Sequence, residues 1–207
     1  MTPLLTIRST PARVGAWAWM AFAALNLIDI ALRGRDTASA VMAALLLLGC
    51  GIAYVLGLRP AVVADEGGFT VRNPLRDVRV PWRAAKKVEA TDALTFRFRA
   101  ADGEERKVKA WVLTTSPRAQ ARAERRAARD ARDARLPQQH AARLKGRTPV
   151  TYAAQRLNEI ADRQRPKGGT LTETGEGGVI NWSVSAVAAL AVPAALVIAA
   201  AVPAVLA

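Results

Sequence analysis

Cysteine and histidine are almost absent from this chain, which has one of each in 207 residues. The lone Cys50 cannot close an intrachain disulfide and lies inside an apolar run, so cysteine usage carries no sign of an oxidising compartment. Cys50 and the lone His140 cannot assemble a zinc site between them. No nucleophile has a histidine partner, no glycine loop is built to cradle phosphate, and no metal-ligand cluster is present. Asp102, Glu104 and Glu105 gather at a hairpin tip, where charge is ordinary. No enzymatic activity, metal or cofactor is expected. Acidic residues are also scarce, 17 against 30 Lys and Arg, leaving a formal net charge of +13.

That charge is unevenly placed. Only Arg8, Arg13, Arg33 and Arg35 among the basic residues, and only Asp29 and Asp36 among the acidic ones, lie outside residues 59–178. Residues 14–32, 37–58 and 179–207 are long apolar runs. A helix rising about 1.5 Å per residue crosses a bilayer core with roughly 20 such residues. Three spans are therefore expected: an N-terminal transmembrane hairpin within residues 1–58, and a C-terminal transmembrane helix over 179–207, kinked at Pro193 and Pro203. A signal peptide is the competitor for the first run, with Ala38-Ser39-Ala40 resembling a cleavage site. Arg33, Arg35 and Asp36 separate that triplet from the run, and a second run follows at once, which favours the hairpin. Arg59 and the basic residues beyond it place the middle of the chain on the cytoplasmic side. Trp17, Trp19 and Trp182 then stand near the inner interface as aromatic anchors.

Gly49, Ala53 and Gly57 recur at four-residue spacing, a helix-packing face that lets backbones approach closely. Asn26, Asp29 and Arg33 share one side of the first helix. Asp29 and Arg33 are spaced to pair at i,i+4 near the outer end, a reading preferred to a charge on a conduction path.

From residue 59 the pattern changes to alternation. Phe69 and Val71, then Val78, Val80 and Trp82, then Leu94, Phe96 and Phe98, then Val108, Ala110 and Val112 point one way, with polar residues between them. This is the period of half-buried antiparallel strands. Glu66-Gly67-Gly68, Asn73-Pro74 and Asp102-Gly103 punctuate them as turns. Parity asks for an odd loop at Asp102-Gly103, such as three residues with Gly103 left-handed. In that register Phe98 opposes Val108 and Phe96 opposes Ala110. On the other face Arg99 opposes Lys107 and Arg97 opposes Lys109. Four facing cations want an anion, supplied by lipid phosphate, an acidic partner or a nucleic acid backbone. The alternative is a solvated face relieved by Glu89, Glu104 and Glu105.

The run from Arg59 through Glu66-Gly67-Gly68-Phe69-Thr70-Val71-Arg72-Asn73-Pro74-Leu75-Arg76 to Val80-Pro81-Trp82, with Val88, the Leu94 strand, Asp102-Gly103 and Ala110-Trp111-Val112, carries a family likeness. It resembles the bacterial pleckstrin-homology-like (PH-like) domain of the low-molecular-weight protein antigen 6 type, found in actinobacterial membrane proteins behind two apolar helices. Asn73-Pro74-Leu75-Arg76 and Val80-Pro81-Trp82 are its most specific parts, and it covers roughly residues 5–115. The resemblance implies a small curved or barrel-like antiparallel sheet with a closing helix, and no catalytic activity. It brings no headgroup-binding motif with it. Trp82 reads as a core residue.

The β-domain is assigned residues 59–115 and a basic helical extension residues 116–166. Ser116-Pro117 opens a helix carrying Arg118, Arg122, Arg125, Arg126, Arg129, Arg132 and Arg135 with no large apolar face. A second helix from Thr148-Pro149 carries Val150, Ala153, Ala154, Leu157 and Ile160 as an apolar stripe that should dock on the β-domain. Residues 167–178, glycine-rich, form a flexible linker. The expected fold is thus an α+β membrane protein: transmembrane hairpin, small antiparallel PH-like β-domain, basic helical extension, C-terminal transmembrane helix. The expected role is a nonenzymatic membrane-anchored module. It recruits an acidic membrane or cytoplasmic protein, or an anionic lipid, through Arg97, Arg99, Lys107, Lys109, Arg122, Arg125, Arg126 and Arg129. The alternative is a tether for nucleic acid or ribosomes through the Arg-rich helix; no aromatic platform accompanies that charge.

Overall fold

A computed structural model describes residues 3–90, 93–114, 149–164 and 177–206. The fold is α+β: N-terminal apolar helices, a central antiparallel β-domain and a C-terminal apolar helix. The described residues form two compact units. The first takes in those up to Arg8, Ala61–Val71 and Val78–Val179; the second takes in Ser9–Pro60, Arg72–Asp77 and those from Ile180 onward.

In chain order the strands are β1 (Leu5–Ile7), β2 (Ala61–Asp65), β3 (Gly68–Arg72), β4 (Arg76–Pro81), β5 (Ala85–Ala90), β6 (Ala93–Arg99), β7 (Glu105–Thr114) and β8 (Val179–Trp182). One sheet has the order β1-β2-β3-β4-β8 and the other β5-β6-β7. The alternating residues meet as expected. Phe69, Val71, Val78, Val80, Leu94, Phe96 and Phe98 are all buried, each contributing roughly 1.5–3 kcal/mol by leaving water. The Phe69 ring stacks on Phe96 at 4.7 Å and leans on Trp82 at 5.6 Å. Trp82 is indeed core, and its indole N–H donates to the Asp65 carbonyl at 2.8 Å, so the one polar atom of the ring is satisfied.

The β2–β3 turn is organised by one carboxylate. Asp65 Oδ1 accepts the N–H groups of Gly67 and Gly68, each at 3.0 Å. Arg79 grips the same carboxylate through both terminal nitrogens, at 2.5 and 2.7 Å, and also donates to Thr70 Oγ1. The Arg79 guanidinium holds the Asp65 carboxyl below its ordinary range, with the turn N–H groups adding to the effect against the opposing cost of burial. Gly68 is required sterically, because a Cβ there would run into the carbonyl of Val80.

Register differs from expectation at the β6–β7 hairpin. The loop is Ala101-Asp102-Gly103, with Gly103 left-handed at φ 84° and Ala100 N–H donating to the Glu104 carbonyl at 2.8 Å. The three-residue count and the glycine conformation match, but the loop closes one residue earlier than a turn centred on Gly103. Phe98 therefore opposes Arg106 and Phe96 opposes Val108, while Arg97 opposes Lys107 and Arg99 opposes Glu105. A slip of two preserves which face each residue shows but changes every neighbour. Strict alternation also fails at the start of β6, where Thr95 is buried along with Leu94 and Phe96.

The second expected helix is present as α3 (Pro149–Gln164), with Val150, Ala153, Ala154 and Leu157 buried and the helix packed on β5 and β6. Its Asn158 does something the apolar stripe does not announce. Asn158 Nδ2 donates to the Val88 carbonyl at 2.9 Å, and Oδ1 accepts the Val88 N–H at 3.1 Å. Val88 lies on β5, at the edge of its sheet, so a side-chain amide takes the place of a neighbouring strand. The glycine-rich stretch assigned to a linker is likewise held at its end: Gly178 N–H donates to the Arg99 carbonyl at 2.8 Å and its carbonyl accepts from Ala101.

The second unit holds the apolar helices α1 (Thr10–Arg33), α2 (Thr37–Ala53) and α4 (Val184–Leu206), with α2 continuing into a π-helical turn, Tyr54–Leu58. Asp36 caps α2 by accepting the Ser39 N–H at 3.1 Å. Three helices, over Thr10–Arg33, Thr37–Leu58 and Val184–Val202, are long and apolar enough to cross a membrane. The third expected span loses its first residues to β8: Val179–Trp182 is strand, and the helix begins at Val184. Asp29 and Arg33 pair at 3.2 Å. Gly49 faces the Trp19 ring and Gly57 faces Ala12 and Ala16, in each case so closely that a Cβ would come within 2.5–2.7 Å of the facing atoms. Trp19, expected as an interfacial anchor, is the knob that fills the Gly49 notch. Ala53, half-buried, ends α2 just before the π turn. Gly51 is the position that spacing missed: a Cβ there would strike the Ala189 carbonyl of α4.

The end of the π turn is tied to the β3–β4 turn. Arg59, buried, donates to the carbonyls of Asn73 and Pro74, the latter at 3.0 Å, and to Asp77 Oδ2 at 2.7 Å. Leu75 O of the same turn accepts the Ser183 N–H at 2.9 Å, immediately before α4. The motif Asn73-Pro74-Leu75-Arg76 is thus the place where the ends of two apolar helices are fastened.

Two outcomes follow from the first unit. Asn158→Ala should strip protection from the Val88 amide in hydrogen exchange and lower stability by about 1–2 kcal/mol, since it leaves a backbone pair unsatisfied; unchanged exchange at Val88 would show that the amide does not seal the edge. Asp65→Asn should lower the denaturation midpoint at neutral pH and flatten its acid dependence. A carboxyl depressed in the folded state stabilises fully above its unfolded value, about 3.9. That contribution disappears as pH falls below it, through the folded value. A variant with the same acid profile as the native chain would refute this.

Candidate anion-binding face

The expected cluster of four facing cations does not form, because the hairpin register sets Arg99 against Glu105. What forms instead is a row. Lys87 on β5 lies opposite Arg97 on β6, which lies opposite Lys107 on β7, and all three side chains are exposed. The irregularity in β5 between Ala85 and Lys87 makes Lys87, and not Lys86, the residue opposite Arg97. Lys86 and Lys87 are consecutive exposed residues, and Lys86 is drawn to Glu105 at 2.7 Å. That contact holds the Glu105 carboxyl below its ordinary value.

Like charges opposed across strands repel, so the row needs relief. Glu89, one step along β5 on the same face, supplies part of it at 3.7 Å from Lys87 and 3.4 Å from Arg97. Among the described residues Lys107 has no ion-pair partner. Alternation along β7 adds Lys109 to this face, and Trp111, beyond it where the register shifts, is 56% exposed. Of the residues expected to bind anions, the structure brings together Arg97, Lys107 and Lys109, and turns Arg99 toward Glu105. Lys87 and Trp111 were missed. Lys87 lies beyond a strand irregularity that periodicity cannot see, and Trp111 was noted only within the Ala110-Trp111-Val112 part of the family likeness. Arg122, Arg125, Arg126 and Arg129 lie outside the described residues. Among the described residues no group of three or more His, Cys, Asp or Glu could hold a metal.

The strands that carry this face fall within a stretch that matches a known family model, described as Bacterial PH domain, over residues 59–131. Residues 59–131 contain a bacterial PH-like domain. The match begins at Arg59, leaving the apolar hairpin out, and runs past residue 115 into the basic extension. The shared pattern therefore includes part of a segment that the resemblance read from sequence had excluded. Comparison with curated proteins and with solved structures finds no match. PH-like domains generally bind proteins or lipids, which makes an interaction module the coarse description of this part of the chain.

Glu89→Gln tests the electrostatics of the face. Removing the carboxylate that touches Lys87 and Arg97 should lower stability by less than about 1 kcal/mol, as for exposed pairs, while raising affinity for a polyanion such as poly-glutamate. Unchanged or weaker binding would mean that Glu89 does not compete for the row.

Proposed function

We propose that the chain is a nonenzymatic, membrane-anchored interaction module. Its PH-like domain works on the cytoplasmic side and recruits an acidic protein or an anionic lipid. The observation that carries the reading is the Lys87–Arg97–Lys107 row, extended by Lys109 and Trp111. A row of cations set one strand apart matches an extended anionic ligand, and the exposed indole adds an apolar contact beside it. Membrane anchorage is supported by the three apolar helices. The cytoplasmic side is supported by the concentration of basic residues after the second helix.

The full chain in nanodiscs of zwitterionic lipid, with poly-glutamate and short-chain phosphatidylglycerol as probes, tests this reading. Charge reversal at Lys87, Arg97 and Lys107 should weaken binding by about two orders of magnitude, at about 1 kcal/mol for each cation. High salt should weaken the native chain in the same sense. Binding that ignores both changes removes the proposal. Duplex nucleic acid bound more tightly than either probe would favour the tether instead. A cysteine introduced at Asp102, labelled by an impermeant reagent only in opened cells, checks the side; labelling in intact cells would reverse it.

A further inference from the structure

We infer a second anion site, distinct from the strand row: Arg76 and Trp182 together hold the phosphodiester of a membrane lipid beside the start of α4. This rests on the membrane-spanning reading above. The Arg76 guanidinium carbon sits 4.5 Å from the centroid of the Trp182 ring. Both side chains are exposed, the indole by 61%, so the pair is not a core contact. Among the described residues no carboxylate lies within ion-pair distance of Arg76. Its neighbour Asp77 is already engaged by Arg59.

The location gives the pair its meaning. Arg59 follows Leu58, the last residue of the second apolar helix, and its guanidinium binds the Asn73 and Pro74 carbonyls. Ser183, one residue before α4, binds Leu75 of the same turn. The ends of two apolar helices therefore meet one four-residue turn, and a turn so fastened stands at the level where both helices leave hydrocarbon. Tryptophan is the side chain suited to that level, with an apolar body and a polar edge. With its central carbon over the ring, the guanidinium has the side toward Trp182 covered. Its planar fork of N–H groups can donate to two oxygens of a phosphate. The cation–π contact removes part of the freedom that Arg76 would otherwise lose on binding. Leu75, half exposed beside it, gives the lipid's glycerol end an apolar neighbour.

The test uses the full chain extracted in mild detergent, with native mass spectrometry counting retained lipid. The probes are a phosphatidylcholine, a phosphatidylglycerol and a diacyl glycolipid lacking phosphate. Both phospholipids should be retained in preference to the glycolipid, and Arg76→Gln should reduce retention about tenfold, the loss of a charge-assisted contact. Arg76→Lys, which keeps the charge but not the fork, should fall between. Trp182→Leu, which keeps Arg76 and apolar bulk, should also weaken retention and provides a second arm if Arg76→Gln does not fold. Equal retention in Arg76→Gln or Trp182→Leu overturns the site. So does equal retention of the glycolipid, and so does displacement of the lipid by inorganic phosphate. Alkaline extraction of membranes separates the two readings. A chain released by alkali loses both the spanning reading and this site, whereas one that stays in the membrane and ignores the substitutions loses only the site.

Discussion

Burying the Arg59 guanidinium commits the chain around it, because a desolvated charge must find partners or cost several kcal/mol. It finds the carbonyls of Asn73 and Pro74 and the carboxylate of Asp77, all within one turn. That turn in turn receives Ser183 through Leu75. The four-residue motif is thus defined less by its own side chains than by what its backbone oxygens must do. Proline at position 74 suits this use, since it presents an acceptor and needs no partner for an N–H. The π turn at Tyr54–Leu58 is the element that delivers Arg59 to it.

The β-domain core is governed by a parallel device. Asp65 and Arg79 close the β2–β3 turn from the polar face while Phe69, Trp82 and Phe96 fill the apolar one. Trp82 links the two, with its ring in the core and its N–H on the Asp65 carbonyl. Turn, ion pair and core support one another, as in sequences whose local and global preferences agree.

Much of this was legible in the amino-acid sequence, and the limits have physical causes. Apolar run length marked the three helices, and period-two alternation marked β3, β4, β6 and β7. β2 was not marked, because Ala61, Val62 and Ala64 are all buried and a strand covered on both faces shows no alternation. β5 was hidden by its irregularity, and β8 by its continuity with an apolar run. The charged face was half read. Parity fixed which residues share a face, but loop closure, decided by Ala100, Asp102 and Gly103, fixed which of them touch. Arg97 and Lys107 consequently became neighbours while Arg99 found Glu105. Helix contacts showed the same division. Four-residue spacing found Gly49 and Gly57, but Gly51 lies on another face that no repeat marks.

The amide of Asn158 has a consequence for how copies of this domain coexist. An open strand margin is a template on which an identical chain can add without limit. Here the two hydrogen-bonding groups of Val88 are already spoken for by a side chain from the same molecule. Intramolecular occupancy of this kind does not depend on protein concentration, because the competing amide belongs to the same chain. Helix α3 is therefore more than a lid on apolar strands: it fills the outward backbone groups of Val88, which a strand of another copy would need at that point of the β5 margin.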